Sequence, residues 1–306
     1  MMVAKPTGWK HVVVICRPGN VGAVAALPVA LTLKTHWPDC RVTCVIRATT
    51  TEVLQHQSAV DAVVCDPGYV SLVKYFRRQP PTAVFVFSPC FAGLLAAFVA
   101  HVPTRIVDGA GMLGWCKGLI PKRLSRSRHS FDGIAISGML RSLGLPPQLP
   151  GRPWIVLAQR EKRRAHRRLC RASRPRVLVH PSALIGSLGL LDSRWSLVLA
   201  GLEAQASPRQ SLSQWVERGV LNLLDKLSLR EWISILVECD VFVSADDESL
   251  LLADAMGIPT VRLASSSRRR ESVPVLPEAV MWQVEVVLRH RLRIVQRADG
   301  PYSEVR

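Results

Sequence analysis

Short apolar runs alternate with amphipathic or apolar helical stretches from the start of the chain. Residues 11–16 read as a buried strand, 19–22 as a turn and 23–36 as a helix stopped by Trp37-Pro38. Strands at 41–46, 61–65, 83–87 and 104–107 follow, with helices at 50–57, 70–78 and 91–101 between them. Strands spaced by helices call for parallel pairing, and near-continuous apolar strands suit a sheet covered on both faces. The rhythm breaks at 108–130, which is rich in Gly, Lys, Arg and Ser and has no clear period. A helix is expected at 131–143, ended by Gly144 and Pro146. After the basic run 160–176 a second series begins. Its expected strands are 177–180, 196–200, 220–223, 240–244 and 259–263. Its expected helices are 211–217, 229–238, 249–256 and 277–290. The pattern predicts an α/β chain of two domains built on parallel βαβ units, residues 1–165 and 166–306.

The stretch 83–100 is apolar and nearly long enough to cross a bilayer, but Ser88-Pro89 divides it. A buried strand followed by a buried helix is the expectation there. The first ten residues lack the basic-then-apolar layout of a signal peptide. None of the eight cysteines forms a Cys-x-x-Cys pair or a zinc-like cluster, which reads as a reduced, cytoplasmic chain without a metal site.

Charge adds a constraint. Forty Lys and Arg against 23 acids give a formal +17. That excess suits an anionic partner such as nucleic acid, an anionic membrane surface or a phosphorylated substrate, or else Arg decorating the surface. Aromatics make up 6% and no RNA-binding module is visible, so nucleic acid is not the expected partner. The run from Arg160 to Arg176, with Glu161 its one acid, is expected as an exposed helix able to meet anionic head groups.

Two strand–turn–helix segments could carry chemistry. In Arg17-Pro18-Gly19-Asn20-Val21-Gly22 the glycines would let backbone N–H groups face an anion, or simply make a tight turn. The spacing fits neither a dinucleotide fingerprint nor a P-loop. In 241–249 the strand Val241-Phe242-Val243-Ser244 runs into Asp246-Asp247-Glu248-Ser249 and a helix. Ligands bind outside the carboxyl ends of parallel strands. Asp246 and Asp247 could equally cap the helix.

These residues, with Asn222-Leu223-Leu224-Asp225-Lys226-Leu227-Ser228-Leu229 ahead of them, resemble the C-terminal signature of glycosyltransferase family 9, the lipopolysaccharide heptosyltransferases. That signature runs Asn-Leu-x-Gly-x-Ser/Thr-x-Leu, then a strand and Asn-Asp-Ser/Thr-Gly. The opening strand, turn and helix to Pro38 are similar to the family's N-terminus. Phe87-Ser88-Pro89-Cys90-Phe91, Val102-Pro103-Thr104-Arg105-Ile106 and His129 resemble further family segments, most closely those of heptosyltransferase II. The resemblance spans most of 11–290. It implies a GT-B architecture, two Rossmann-like domains facing a cleft. It implies a metal-independent, inverting transfer from ADP-heptose, or another nucleotide-sugar, to an anionic lipopolysaccharide core. It places the protein in the cytoplasm, with peripheral contact at the inner membrane left open, and calls for no cofactor.

By position, the resemblance assigns Ser182, Glu203, Asp246, Asp247 and Ser249 to the donor. It assigns Arg17, Gly19, Gly22, Arg105, Arg126, Arg128 and His129 to the acceptor. The family's general-base Asp is replaced by Ala23, which leaves Asp108, His129 and Asp132 as candidate bases. His180-Pro181-Ser182 stands where the family has Lys-x-Trp-Pro, and Asp247, Glu248 and Leu251 stand where it has Ser/Thr, Gly and His. A binding or scaffold protein of lipopolysaccharide assembly is therefore the alternative to a transferase.

Overall fold

A computed structural model describes residues 8–16, 20–46, 48–65, 67–87, 90–108, 122–124, 140, 145, 155–183, 195–201, 215, 217–224, 226–263 and 277–298. Chain contacts divide it into two units, Met1–Val156 and Leu157–Arg306.

The first unit is a six-stranded parallel sheet of β1 (His11–Ile15), β2 (Arg41–Ile46), β3 (Ala62–Cys65), β4 (Ala83–Phe87), β5 (Thr104–Asp108) and β6 (Lys122–Leu124). Their spatial order is β3-β2-β1-β4-β5-β6. The order reverses between β1 and β4, the place where doubly wound sheets open a crevice at their carboxyl ends. Both central strands are buried along their whole length, because helices cover the two faces. These helices are α1 (Asn20–His36), α2 (Tyr69–Arg78) and α3 (Phe91–Val99). The core joins Val13, Ile15, Val84 and Val86 to Leu72, Phe76, Leu94 and Ala97. Gly93 lets α3 close on β1, since a Cβ there would lie 2.7 Å from Ile15 Cδ1. The 83–100 stretch is thus a strand and a helix, as its Ser-Pro division implied.

The second unit repeats the plan with five parallel strands: β7 (Arg176–Val179), β8 (Ser196–Leu199), β9 (Leu221–Asn222), β10 (Val241–Ser244) and β11 (Thr260–Arg262). Their order is β11-β10-β7-β8-β9, so the reversal falls between β7 and β10. Helices α4 (Gln159–Arg168), α5 (Leu229–Val237), α6 (Asp247–Ala255) and α7 (Pro277–Ala298) accompany it. Trp215, Val243, Val261, Val280 and Val284 pack on Val177, Val179 and Leu199 in its core. Two doubly wound parallel units in one chain are the GT-B plan.

Several expectations shift. Helix α1 begins at Asn20, so Gly22 lies buried in its first turn and not in a loop, while Ala23 is helical as expected. The 50–57 segment is a 3-10 helix, Ala48–Leu54. Strand β6 falls in the stretch read as having no period, and α7 continues to Ala298. The helices expected at 131–143 and 211–217 lie outside the described residues, apart from Leu140, Trp215 and Glu217.

Helix α4 belongs to the second unit, which places the division before Leu157 and not after residue 165. Ion pairs show why. Arg230 on α5 grips Glu161 through two bonds, Nε to Oε1 at 2.8 Å and Nη2 to Oε2 at 2.6 Å. Arg164 and Arg168 both reach Glu231 Oε1 at 3.1 Å. Beyond the helix, Arg174 and the buried Arg176 bind Asp240, the first through its side chain and the second through its backbone N–H. The basic run is therefore partly a seam that ties α4 and β7 to α5 and β10, and only partly an exposed face.

Candidate functional site

The strongest constellation among the described residues sits where the order of the second sheet reverses. His180 follows the last residue of β7, and Ala245-Asp246 follow Ser244 at the end of β10. Asp246 caps α6, accepting the Ser249 N–H at 2.9 Å. Ser, Thr, Asn and Asp suit that position because their oxygens satisfy an N–H that the helix leaves open. The Ser249 hydroxyl also donates to Asp246 Oδ2. Ser249 Oγ lies 3.3 Å from His180 Nε2, and His180 Nδ1 lies 2.9 Å from Ser182 Oγ. Ser182 Oγ in turn accepts the Ala245 N–H at 3.1 Å, while Ser244 Oγ accepts the Asp246 N–H at 2.9 Å.

The donors fall into one order. Ser249 has a single hydroxyl proton and gives it to the carboxylate, so it accepts from His180 Nε2–H. Nδ1 is then the lone-pair nitrogen, and it accepts from Ser182. The chain runs from Ala245 N–H through Ser182, His180 and Ser249 to Asp246, each bond polarising the next. Here Ser249 lies between the imidazole and the carboxylate. Nucleophilic Ser-His-Asp chemistry needs the imidazole in the middle. With His180 2% and Ser249 5% exposed, this is a rigid frame for the turn and not a hydrolytic triad.

Gly201, after β8, closes the floor. A Cβ there would meet the Pro181 ring at 2.6 Å, so this chain position needs glycine for close approach. At the same carboxyl edge Asn222 Oδ1 accepts the Leu224 N–H at 3.0 Å, and the exposed Lys226 ammonium donates to the Asn222 carbonyl at 3.2 Å.

The acidic turn is less negative than its sequence. Asp247 is paired with Arg262 from β11, the neighbouring strand. Glu248 faces outward, and burial, with help from the Asp246 charge, pushes its carboxyl up from the ordinary value. The α6 N-terminus thus carries one uncompensated exposed carboxylate rather than two.

Of the donor residues read from the sequence, the fold brings together Ser182, Asp246 and Ser249, holds Asp247 beside them on Arg262, and leaves Glu203 outside the described residues. His180, Ser244 and Gly201 complete the cluster and were not singled out as site residues. A His and a Ser at the ends of adjacent central strands were the available signal. On the first unit, Asp108 closes β5 opposite Phe87, at the carboxyl edge. Arg105 lies near the start of that strand. Its guanidinium donates to the Val102 carbonyl at 2.6 Å and stacks 5.4 Å from the Phe98 ring, so it is not gathered with Asp108 at the carboxyl edge. Ala23 is fully buried in α1. Arg17, Gly19, Arg126, Arg128, His129 and Asp132 lie outside the described residues. No group of three His, Cys, Asp or Glu side chains able to hold a metal occurs among the described residues.

No protein-family profile and no curated protein matches the chain. Solved structures do. Escherichia coli ADP-heptose lipopolysaccharide heptosyltransferase II superposes with a TM-score of 0.68 at 15% identity, covering 92% of this chain and 99% of that one. The chain has the fold of the heptosyltransferases. A glycosyl transferase family 9 structure from Veillonella parvula gives 0.70 at 14% identity, over 92% and 98% of the two chains. Escherichia coli heptosyltransferase WaaC with ADP-2-deoxy-2-fluoro heptose gives 0.64 at 14% identity, over 90% and 99%. Agreement over nearly the full length of both partners means that both units share the plan of these transferases. No helix among the described residues is long and apolar enough to cross a membrane.

Proposed function

We propose that the chain is a divergent member of glycosyltransferase family 9 that moves a heptose, or a similar sugar, from a nucleotide-sugar to the anionic inner core of lipopolysaccharide in the cytoplasm. The observation that carries the reading is the Ser182–His180–Ser249–Asp246 frame at the reversal point of the second sheet, where a doubly wound sheet takes a nucleotide. The order of family-like segments and the shared fold of a heptosyltransferase holding an ADP-heptose analogue support it.

The donor lies across the carboxyl ends of β7 and β10. Its diphosphate faces the α6 N-terminus, with Lys226 and Arg262 as the cations at that edge. An acceptor hydroxyl oxygen bonds to the anomeric carbon from the opposite face. The carbon–oxygen bond to the diphosphate breaks, its electron pair leaves with the nucleoside diphosphate, and the hydroxyl proton passes to a base. Asp108, His129 and Asp132 are the candidate bases, and Asp108 has support from its place at the carboxyl end of β5. No cofactor takes part. Isothermal titration with ADP and ADP-sugars tests the reading. Binding that weakens in Asp246→Ala is expected, and no binding of any nucleotide to the wild-type chain overturns it.

One observation favours a second reading. Ala23 is buried and cannot take a proton, so a chain that binds donor or core glycan as a scaffold, without turnover, is the alternative. Nucleotide binding with no transfer of labelled sugar to any core acceptor would select it.

A further inference from the structure

The ion pairs of α4 consume only part of its charge. Arg164 and Arg168 are spent on Glu231, while Arg160, Lys162, Arg163 and Arg167 are exposed and meet no carboxylate at ion-pair distance among the described residues. These four line a surface hollow of about 860 Å³ with Gln159, His166 and Glu238. Glu238 does not neutralise them, because it is shared among His166, Arg174 and Arg176 at 3.7 Å each. Four cations within eight residues of helix occupy about 12 Å of its axis. Like charges so close repel, and nothing in the packing of α4 requires them: Ala165 within the helix and Leu169 just after it are the buried residues.

We propose that this face of α4 docks the second unit onto a bilayer rich in anionic phospholipid, the head-group phosphates taking the places of the missing carboxylates. The choice of a bilayer rests partly on the reading above, in which the acceptor is lipid-linked. Two observations favour it independently over nucleic acid. The hollow has no Phe, Tyr or Trp side chain for base stacking. The helix also lies clamped along the unit by the Glu161–Arg230 pair, which holds it as a flat basic strip and not as a projecting element that could enter a groove.

The test is co-sedimentation of the full chain with vesicles of phosphatidylcholine, with and without phosphatidylglycerol, at physiological ionic strength. Each basic residue near an anionic surface contributes about fivefold to binding, so Arg160→Gln/Arg163→Gln/Arg167→Gln should bind the anionic vesicles about 100-fold more weakly. A charge-matched control, Lys74→Gln/Arg77→Gln/Arg78→Gln on the exposed end of α2, should change binding little. Circular dichroism of each variant checks that it is folded. Single substitutions at Arg160 and at Arg167, each expected to lose about fivefold, keep the test open if the triple variant does not fold. Equal losses in the two triple variants would reduce the effect to net charge and overturn the proposal. So would wild-type chain that ignores phosphatidylglycerol, or that prefers duplex DNA to the anionic vesicles with the same three arginines responsible. Vesicle binding is read without nucleotide, so it fails or succeeds separately from the donor titration.

Discussion

Replacing Asp246 by alanine removes two bonds at once. One carboxylate oxygen holds the Ser249 N–H at 2.9 Å and the Ser249 hydroxyl. Loss of an N-cap side chain costs about 1 kcal/mol. A hydrogen bond to a charged group contributes about 1.5–3 kcal/mol. Both bonds end on one oxygen and are not independent, so a combined loss of about 2 kcal/mol is expected. Asp246→Asn retains a capping oxygen and forfeits mainly the charge at the helix terminus, about 0.3–1 kcal/mol. Urea unfolding followed by far-ultraviolet circular dichroism reads the difference. With a slope of about 2 kcal/mol/M, the midpoint of the second unit should fall by about 1 M in Asp246→Ala and by less than half that in Asp246→Asn. Ser249→Ala, which leaves the cap in place, should fall between them. A midpoint for Asp246→Ala within about 0.2 M of the wild type, or an Asn variant as damaged as the Ala variant, would refute the hydrogen-bond frame.

Three other outcomes follow from the same geometry. Gly201→Ala drives a methyl group to 2.6 Å from the rigid Pro181 ring and should destabilise the unit by about 1–3 kcal/mol, seen as a fall of several degrees in its thermal midpoint. Burial raises the Glu231 carboxyl, but the Ser228 N–H, the Arg168 charge and bonds from Arg168 and Arg164 outweigh it and hold the group below its ordinary 4.5. A depressed carboxyl stabilises the fold above its unfolded value and loses that contribution as pH falls through the folded one. The acid side of the stability profile below pH 4.5 should therefore flatten in Glu231→Gln, as measured by urea midpoints across pH. If a diphosphate sits at the α6 N-terminus, Glu248→Gln removes the one uncompensated carboxylate there. ADP should then bind up to about fivefold more tightly by calorimetry, the value of about 1 kcal/mol for two charges 4 Å apart in water.

The strands that form the centre of each sheet were legible in the sequence, because burial on both faces demands unbroken apolar runs such as Val12-Val13-Val14-Ile15 and Ala83-Val84-Phe85-Val86-Phe87. Strand β6 was not. Lys122-Arg123-Leu124 has no apolar pattern, and its strand character comes wholly from backbone pairing with Ile106–Asp108. The start of α1 was read three residues late because Gly19 to Gly22 looks like a turn, whereas Gly22 is buried in the helix. In the site, Asp246 and Ser249 were visible as a capped helix near a strand end. Their link to His180 spans 69 positions and depends on β7 and β10 being neighbours, which no local pattern encodes. The basic run misled for the same reason: its partners Glu231, Glu238 and Asp240 lie 60 or more residues away.

The first sheet ends in two very different margins. Among the described strands β6 stands at one margin, and its sequence, Lys122-Arg123-Leu124, is basic. The other margin, β3, is Ala62-Val63-Val64-Cys65, with Val63 exposed and no charged side chain in the strand. Its protection is brevity: four residues give an intruding strand little length to pair with. Self-association on storage or overexpression should therefore begin at β3, and a lysine at Val63 would suppress it while leaving the paired strands behind it untouched.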